Sequence, residues 1–168
     1  AMFNVGGIWT KDESSRLQLN SFKVLGGSFA LYRYLQKQLG ILGEDTPFAY
    51  LASQEVKDKV GNLTFASATD GNHGRGIAWA AKRLGFKCVI YVHSETSVRR
   101  IDAIKSNGAK VVIIDGNYDD AVRQVAIDAK ANGWTIISDT SWENYTEIPT
   151  WIMQGYLTLL AEAQEQFS

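Results

Sequence analysis

Three short stretches carry residue types that could do chemistry. The first is Asn20-Ser21-Phe22-Lys23-Val24-Leu25-Gly26-Gly27, where a lysine follows a capping-type serine by two residues. A lysine there stands at the positive end of a helix dipole, which disfavours its cation. The expected effect is a lowered pKa and an amine ready to act as a nucleophile. Gly26 and Gly27 each cost a helix about 1 kcal/mol relative to Ala. Their presence points to close approach of a flat ligand or of another backbone. The plainer alternative is a solvated lysine beside a helix-packing glycine pair.

The second stretch is Thr69-Asp70-Gly71-Asn72-His73-Gly74-Arg75-Gly76. Three glycines let the backbone come close to a ligand, and the start of the following helix offers N–H groups to an anion. The order is G-x-x-G-x-G, not the dinucleotide G-x-G-x-x-G. His93, not an acid, stands at the end of the next strand, so NAD binding is disfavoured. A glycine-rich turn with Asp70 as helix N-cap is the simpler alternative. The third stretch, Ser138–Glu143, places Asp139 on the same rim as Asp70. A carboxylate capping a turn is the alternative there. His73 and His93 are too few and too separated for a metal site. The single Cys88 excludes an intramolecular disulfide and a cysteine cluster. Arg99 and Arg100 read as a solvated helix face, and Trp79, Trp134 and Trp151 as core or interface residues.

These stretches need a frame. Ile8–Thr10 reads as a short strand. A helix begins at Asn20-Ser21, carries Val24, Leu25, Phe29, Leu31, Tyr34 and Leu35 on one face, and stops at Gly40. Thr46-Pro47 opens a helical stretch over Phe48–Val60 that breaks near Ser53. Then strands at 63–68, 88–92, 111–114 and 135–138 alternate with helices at 76–84, 98–106 and 119–131, and a long helix spans 149–164. Gly85, Gly108 and Gly133 stand where left-handed helix caps are wanted. Short apolar strands alternating with helices predict an α/β fold: a Rossmann-like parallel sheet of about four strands flanked by helices. In such sheets, ligands bind beyond the carboxyl ends of the strands, where the second and third stretches belong.

Composition narrows the function classes. The 168 residues carry 17 Lys+Arg against 18 Asp+Glu, a net charge of −1, and no basic run is longer than Arg99-Arg100. That argues against nucleic-acid binding. No apolar stretch approaches the roughly 20 residues of a membrane span, and no basic-then-apolar leader opens the chain, so a cytoplasmic protein is expected.

The combination of motifs resembles fold-type II pyridoxal-phosphate enzymes, the group of threonine dehydratase and cysteine synthase. Within that group it is similar to the diaminopropionate ammonia-lyase family. The resemblance rests on K-D-E-S at 11–14, L-N-S-F-K-V-L-G-G at 19–27 and T-D-G-N-H-G-R-G at 69–76. It continues with N-Y-D-D at 117–120, D-T-S-W-E-N-Y-T at 139–146 and I-P-T-W-I-M-Q-G-Y at 148–156. It implies the small domain of that fold at residues 63–142, preceded by a segment (1–62) with the cofactor-lysine helix. Residues 143–168 then lead into an incomplete second domain.

By this resemblance Lys23 is the lysine that binds pyridoxal 5'-phosphate covalently, and Asn72 contacts the ring hydroxyl. The loop Asp70, Gly71, Asn72, His73 and Gly74 receives the substrate carboxylate. Asp70, where wider relatives have Ser, is the base for a D-substrate and Lys23 for an L-substrate. Asp139 orients the substrate's amino groups. The implied reaction is α,β-elimination of 2,3-diaminopropionate to pyruvate and ammonia. The implied partners are a small amino-acid substrate and a second copy of the chain, with no nucleic acid and no membrane. Members of the family also carry a glycine-rich phosphate loop in a C-terminal half, for which no stretch here stands in. The chain alone is therefore expected to bind the cofactor weakly and to turn over little. Two alternatives are another fold-type II lyase or dehydratase, and a non-catalytic Rossmann-like module with an apolar patch around Ile148, Trp151, Ile152 and Tyr156.

Overall fold

The computed structural model describes residues 5–69 and 71–167. A 3₁₀ turn at Arg16–Gln18 precedes helix α1 (Lys23–Leu39), then come α2 (Phe48–Leu51) and α3 (Gln54–Val60). From there strands and helices alternate: β1 (Thr64–Ala68), α4 (Asn72–Leu84), β2 (Lys87–His93), α5 (Val98–Lys105), β3 (Lys110–Ile114), α6 (Tyr118–Asn132), β4 (Thr135–Ile136) and α7 (Glu147–Phe167). The strands form one parallel sheet in the order β3-β2-β1-β4. The expected α/β architecture is therefore present, with β1 and β2 at its centre.

The period of two along the strands divides the core. Phe65, Cys88, Ile90 and Val92 face the layer containing Ile77, Ala81, Leu84 and Ile104 of α4 and α5. Ala66, Ala68, Val89 and Tyr91 face Ala121 and Val125 of α6. The caps follow simple chemistry. Gly40, Gly85 and Gly133 end α1, α4 and α6 at φ of 73°, 79° and 68°, the left-handed region that glycine occupies without penalty. Asn117 and Asp120 form a reciprocal capping box that starts α6.

Glycines set how closely the helices approach. A Cβ on Gly76 of α4 would lie 2.8 Å from Val24 Cα and 3.2 Å from the Lys23 carbonyl oxygen. One on Gly26 would lie 2.8 Å from the Ile152 carbonyl of α7, and one on Gly155 would lie 2.5 Å from that of Leu25. Helix α1 is thus gripped between α4 and α7 at backbone contact, directly below Lys23. The Gly26-Gly27 pair serves approach of another backbone; Gly27 faces Ile77 N of α4 at 3.3 Å from its added Cβ.

Several local expectations change. Ile8–Thr10 is not a strand: these residues are exposed and join no ladder. Helix α4 starts four residues before the expected Gly76, because the middle of the glycine stretch is its first turn. Strand β4 keeps only two residues, since the Ser138 N–H turns to the Tyr145 hydroxyl (2.9 Å) instead of a strand. Helix α7 begins at Glu147, two residues ahead of Pro149. A proline in the first turn is tolerated there because its missing N–H would have no intrahelical partner. The anticipated apolar patch is not where it was expected: Trp151 and Ile152 are buried, and Ile148 and Tyr156 are half-buried against the core. An ion-pair cluster of Lys11, Glu13, Arg16 and Glu162 ties the first segment to the end of α7.

Candidate active site

A cleft of about 900 Å³ opens at the carboxyl ends of the strands. Its wall combines the start of α1 (Asn20, Ser21, Phe22, Lys23), the turn after β1 (Thr69, Gly71) and the first turn of α4 (Asn72, His73, Arg75). Residues of α5 and Asp139 complete it. Five sequence-predicted residues thus meet in one place: Lys23, Gly71, Asn72, His73 and Asp139. Gly74 is not among them; it is buried, and a Cβ there would lie 2.5 Å from Thr69 Cγ2 and 3.0 Å from Ile90 Cγ2. Its lack of a side chain lets α4 lie against the sheet. Asp70 lies outside the described residues.

Lys23 is the first residue of α1, and its N–H donates to Ser21 Oγ (3.2 Å). Its Nζ donates to Asp139 Oδ2 (2.8 Å), with the two side chains 31 % and 28 % exposed. The ammonium also stands 5.4 Å from the Tyr156 ring centroid and 5.7 Å from that of Phe22, cation–π distances. The helix-dipole expectation of a lowered pKa is overturned. Burial does pull the amine down, but the Asp139 hydrogen bond, the Tyr156 hydroxyl nearby and the Asp139 charge outweigh it and hold Lys23 above its ordinary value. For Asp139, burial pushes the carboxyl up, and His73 and Lys23 together bring it below the usual range. The resting pair is therefore ammonium and carboxylate.

His73 lies behind that pair, 4 % exposed. Its Nε2 is 3.0 Å from the Ile137 carbonyl oxygen. A carbonyl can only accept, so Nε2 carries the hydrogen and the neutral ring has its lone pair on Nδ1. That Nδ1 has no hydrogen-bond partner and stands 3.9 Å from Asp139 Oδ2. Burial depresses the imidazole below its ordinary value, more than the Asp139 charge and the Ile137 bond raise it. Asn72 is exposed on the first turn of α4, where helix N–H groups remain free for an anion.

Three features escaped sequence reasoning. Arg99 and Arg100, expected on a solvated face, are exposed but line the cleft, with Arg75 beside them. The arginine pair sits on α5 after Ser97, and only the knowledge that α5 borders the β1 rim would have drawn attention to it. Arg75 Nε is buried without a hydrogen-bond partner. Tyr145 holds the turn that carries Asp139: its hydroxyl donates to the Ile136 carbonyl (2.8 Å) and accepts from the Ser138 N–H (2.9 Å). Its ring stacks on Trp142 at 3.9 Å and 8°. Cys88 is not a nucleophile here, since burial pushes its thiol up to about 12. Among the described residues, no group of His, Cys, Asp and Glu could hold a metal ion, and no helix is long and apolar enough to cross a membrane.

Comparison with known proteins agrees with this geometry. The model of the pyridoxal-phosphate dependent enzyme family matches residues 2–168. Diaminopropionate ammonia-lyase of Salmonella typhimurium is 49 % identical over 164 residues, covering 98 % of this chain and 41 % of the relative. The crystal structure of the Escherichia coli diaminopropionate ammonia-lyase in apo form superposes with a TM-score of 0.86 at 47 % identity. The match covers 92 % of this chain and 41 % of that one. The same enzyme in complex with D-serine gives the same TM-score. The chain spans about two-fifths of the length of the curated relatives it matches. The residues from Lys23 to Asp139 that line one cleft and the match over nearly the whole chain lead to one conclusion: this chain belongs to the pyridoxal-phosphate dependent enzyme family.

Proposed function

We infer that the chain is the lysine-bearing part of an ammonia-lyase that converts 2,3-diaminopropionate to pyruvate and ammonia by α,β-elimination. The observation that carries this reading is the Lys23–Asp139 pair at 2.8 Å on the wall of a cleft open to solvent, facing the start of α4. The residues present suit pyridoxal phosphate. A primary amine stands at the rim, the Asn72 amide is exposed beside it, and Arg75 offers a buried Nε–H without a partner. Lys23 would hold the cofactor aldehyde and Asn72 its ring hydroxyl. When bound, the cofactor supplies an electron sink for charge developing at the substrate Cα.

The protein groups divide the remaining work. The first-turn N–H groups of α4 donate to the substrate carboxylate, beside Gly71, whose own N–H is held by Thr69 Oγ1 (3.2 Å). Asp139 takes and returns the Lys23 proton and then pairs with an ammonium of the substrate. Lys23 is the base for an L-substrate and Asp70 for a D-substrate. A diamino substrate suits this site because the cleft presents carboxylate to the two ammonium groups and helix N–H groups to the carboxylate. The D-serine complex of the Escherichia coli relative supports a small amino acid as the occupant class.

The test is borohydride trapping. The chain is mixed with pyridoxal phosphate, reduced, digested and mapped by mass spectrometry; reduction captures even a weakly populated adduct. The pyridoxyl mass is expected on the Lys23 peptide, absent in Lys23→Ala. A label spread over surface lysines at comparable yield would refute the assignment.

A further inference from the structure

The buried imidazole behind the Lys23–Asp139 pair is not used by the function above. We propose that His73 is a positioning residue that completes a Lys23–Asp139–His73 relay, its Nδ1 lone pair receiving the proton that the Lys23 ammonium sheds through Asp139. This deepens the reading of Lys23 as the cofactor lysine and rests on it for its purpose, though not for its measurement.

The geometry is specific. The Ile137 carbonyl, 3.0 Å from Nε2, fixes the Nε2–H tautomer and turns the lone pair of Nδ1 toward the cleft. Nδ1 is a buried acceptor with no partner, an unusual state for a polar atom in a core. Asp139 Oδ2 accepts from Lys23 at 2.8 Å and stands 3.9 Å from Nδ1, so one oxygen lies next to both bases. Closing that gap to a hydrogen bond of about 2.9 Å takes a movement of about 1 Å. Asp139, on a partly exposed turn after β4, is the member free to make it.

The balance is simple. The Nζ–H bond breaks as Oδ2–H forms, then Oδ2–H breaks as Nδ1–H forms. Asp139 ends as the carboxylate it began as, Lys23 is a neutral amine with its lone pair free, and His73 is an imidazolium bonded to Ile137 and Asp139. With Lys23 held above its ordinary value and His73 below its own, the transfer runs uphill in the unloaded chain, and the groups facing His73 set how steeply. From α1, the Lys23 charge opposes protonation of the ring; from the β4 turn, Asp139 favours it; Tyr156 of α7, beside Lys23, stays a neutral phenol because burial pushes it up. Once Lys23 loses its charge the opposing influence vanishes and the favouring one remains. Proton affinity at His73 therefore rises as that at Lys23 is spent, the behaviour of a coupled pair.

The experiment is NMR of the unloaded chain with ring-labelled histidine, following the His73 ring against pH. The wild-type ring is expected as the Nε2–H tautomer with a midpoint below the ordinary 6.5 of histidine. Lys23→Met should raise the His73 proton affinity by about tenfold, and Asp139→Asn should lower it. In His73→Gln the pH profile of Lys23 labelling by a small amine-reactive probe should lose one inflection. If that variant does not fold, the Lys23 and Asp139 variants, whose side chains are partly exposed, decide alone. An Nδ1–H tautomer, or a His73 midpoint that moves less than twofold in Lys23→Met, overturns the relay. Failure of borohydride trapping at Lys23 would instead refute the cofactor reading and leave this result standing.

Discussion

Gly76→Ala tests whether the crossing of α1 and α4 is what holds Lys23 in place. The added methyl would sit 2.8 Å from Val24 Cα, 3.1 Å from Val24 N and 3.2 Å from the Lys23 carbonyl oxygen. All three atoms are backbone, so no side-chain rotation relieves the contact, and α1 must move. Overpacking of this kind costs about 1–3 kcal/mol, while alanine returns up to about 1 kcal/mol of helix propensity. The upper half of the first range applies, giving a net loss of roughly 1–2 kcal/mol. For a chain of this length that lowers the thermal midpoint by roughly 3–6 °C. Circular-dichroism melts and urea titrations measure it. Gly27→Ala is the internal comparison: its nearest atoms are at 3.3–3.5 Å, so propensity and crowding nearly cancel and the midpoint should move much less. A Gly76→Ala protein as stable as wild type, with unchanged Lys23 labelling, would refute the idea that backbone contact sets the lysine's position.

Tyr145→Phe should cost about 1–3 kcal/mol, because the Ile136 carbonyl and Ser138 N–H lose their shared partner; it should also loosen Asp139, read as faster hydrogen exchange in the turn. Asn117→Ala removes the α6 capping box and should cost about 1 kcal/mol in urea. Asp139→Asn should lower the Lys23 pKa, since the negative charge that raises it disappears and a neutral amide oxygen is left to accept; the midpoint of amine labelling against pH reports this. His73 is held below its ordinary 6.5, so its contribution to stability is complete above about pH 6.5 and is lost as the pH falls toward the folded-state value. Stability measured from pH 7 to 5 should therefore decline, and a flat profile would contradict a buried neutral ring.

The sheet could be read from the residues because its signals are local. Runs such as Cys88–Val92 and Val111–Ile114 have no other good use than strands, and Gly85, Gly108 and Gly133 mark the turns between elements. The meeting of Lys23 with Asp139 is different. It spans 116 residues of sequence, and no local pattern encodes it; the motif resemblance suggested a shared site, but not the ion pair. The sign of the lysine's shift is hidden from the sequence for the same reason. The helix dipole is visible from Ser21-Phe22-Lys23, whereas the carboxylate that overrides it arrives from the turn after β4, 116 residues away in sequence. Arg99 and Arg100 lie on an exposed face of α5, as their helix pattern implies, but periodicity finds a face and not the cleft that it borders.

Helix α1 meets α4 on one side and α7 on the other through residues that lack side chains, so its axis has little room to slide or roll. The amine it carries is mounted on a fixed post. Any displacement needed to exchange one bonding partner for another must come from the lysine's own four methylenes, or from the turns bearing Asp139 and Gly71. In hydrogen-exchange measurements the amides of α1 should then be among the last to open, and those of the two turns among the first.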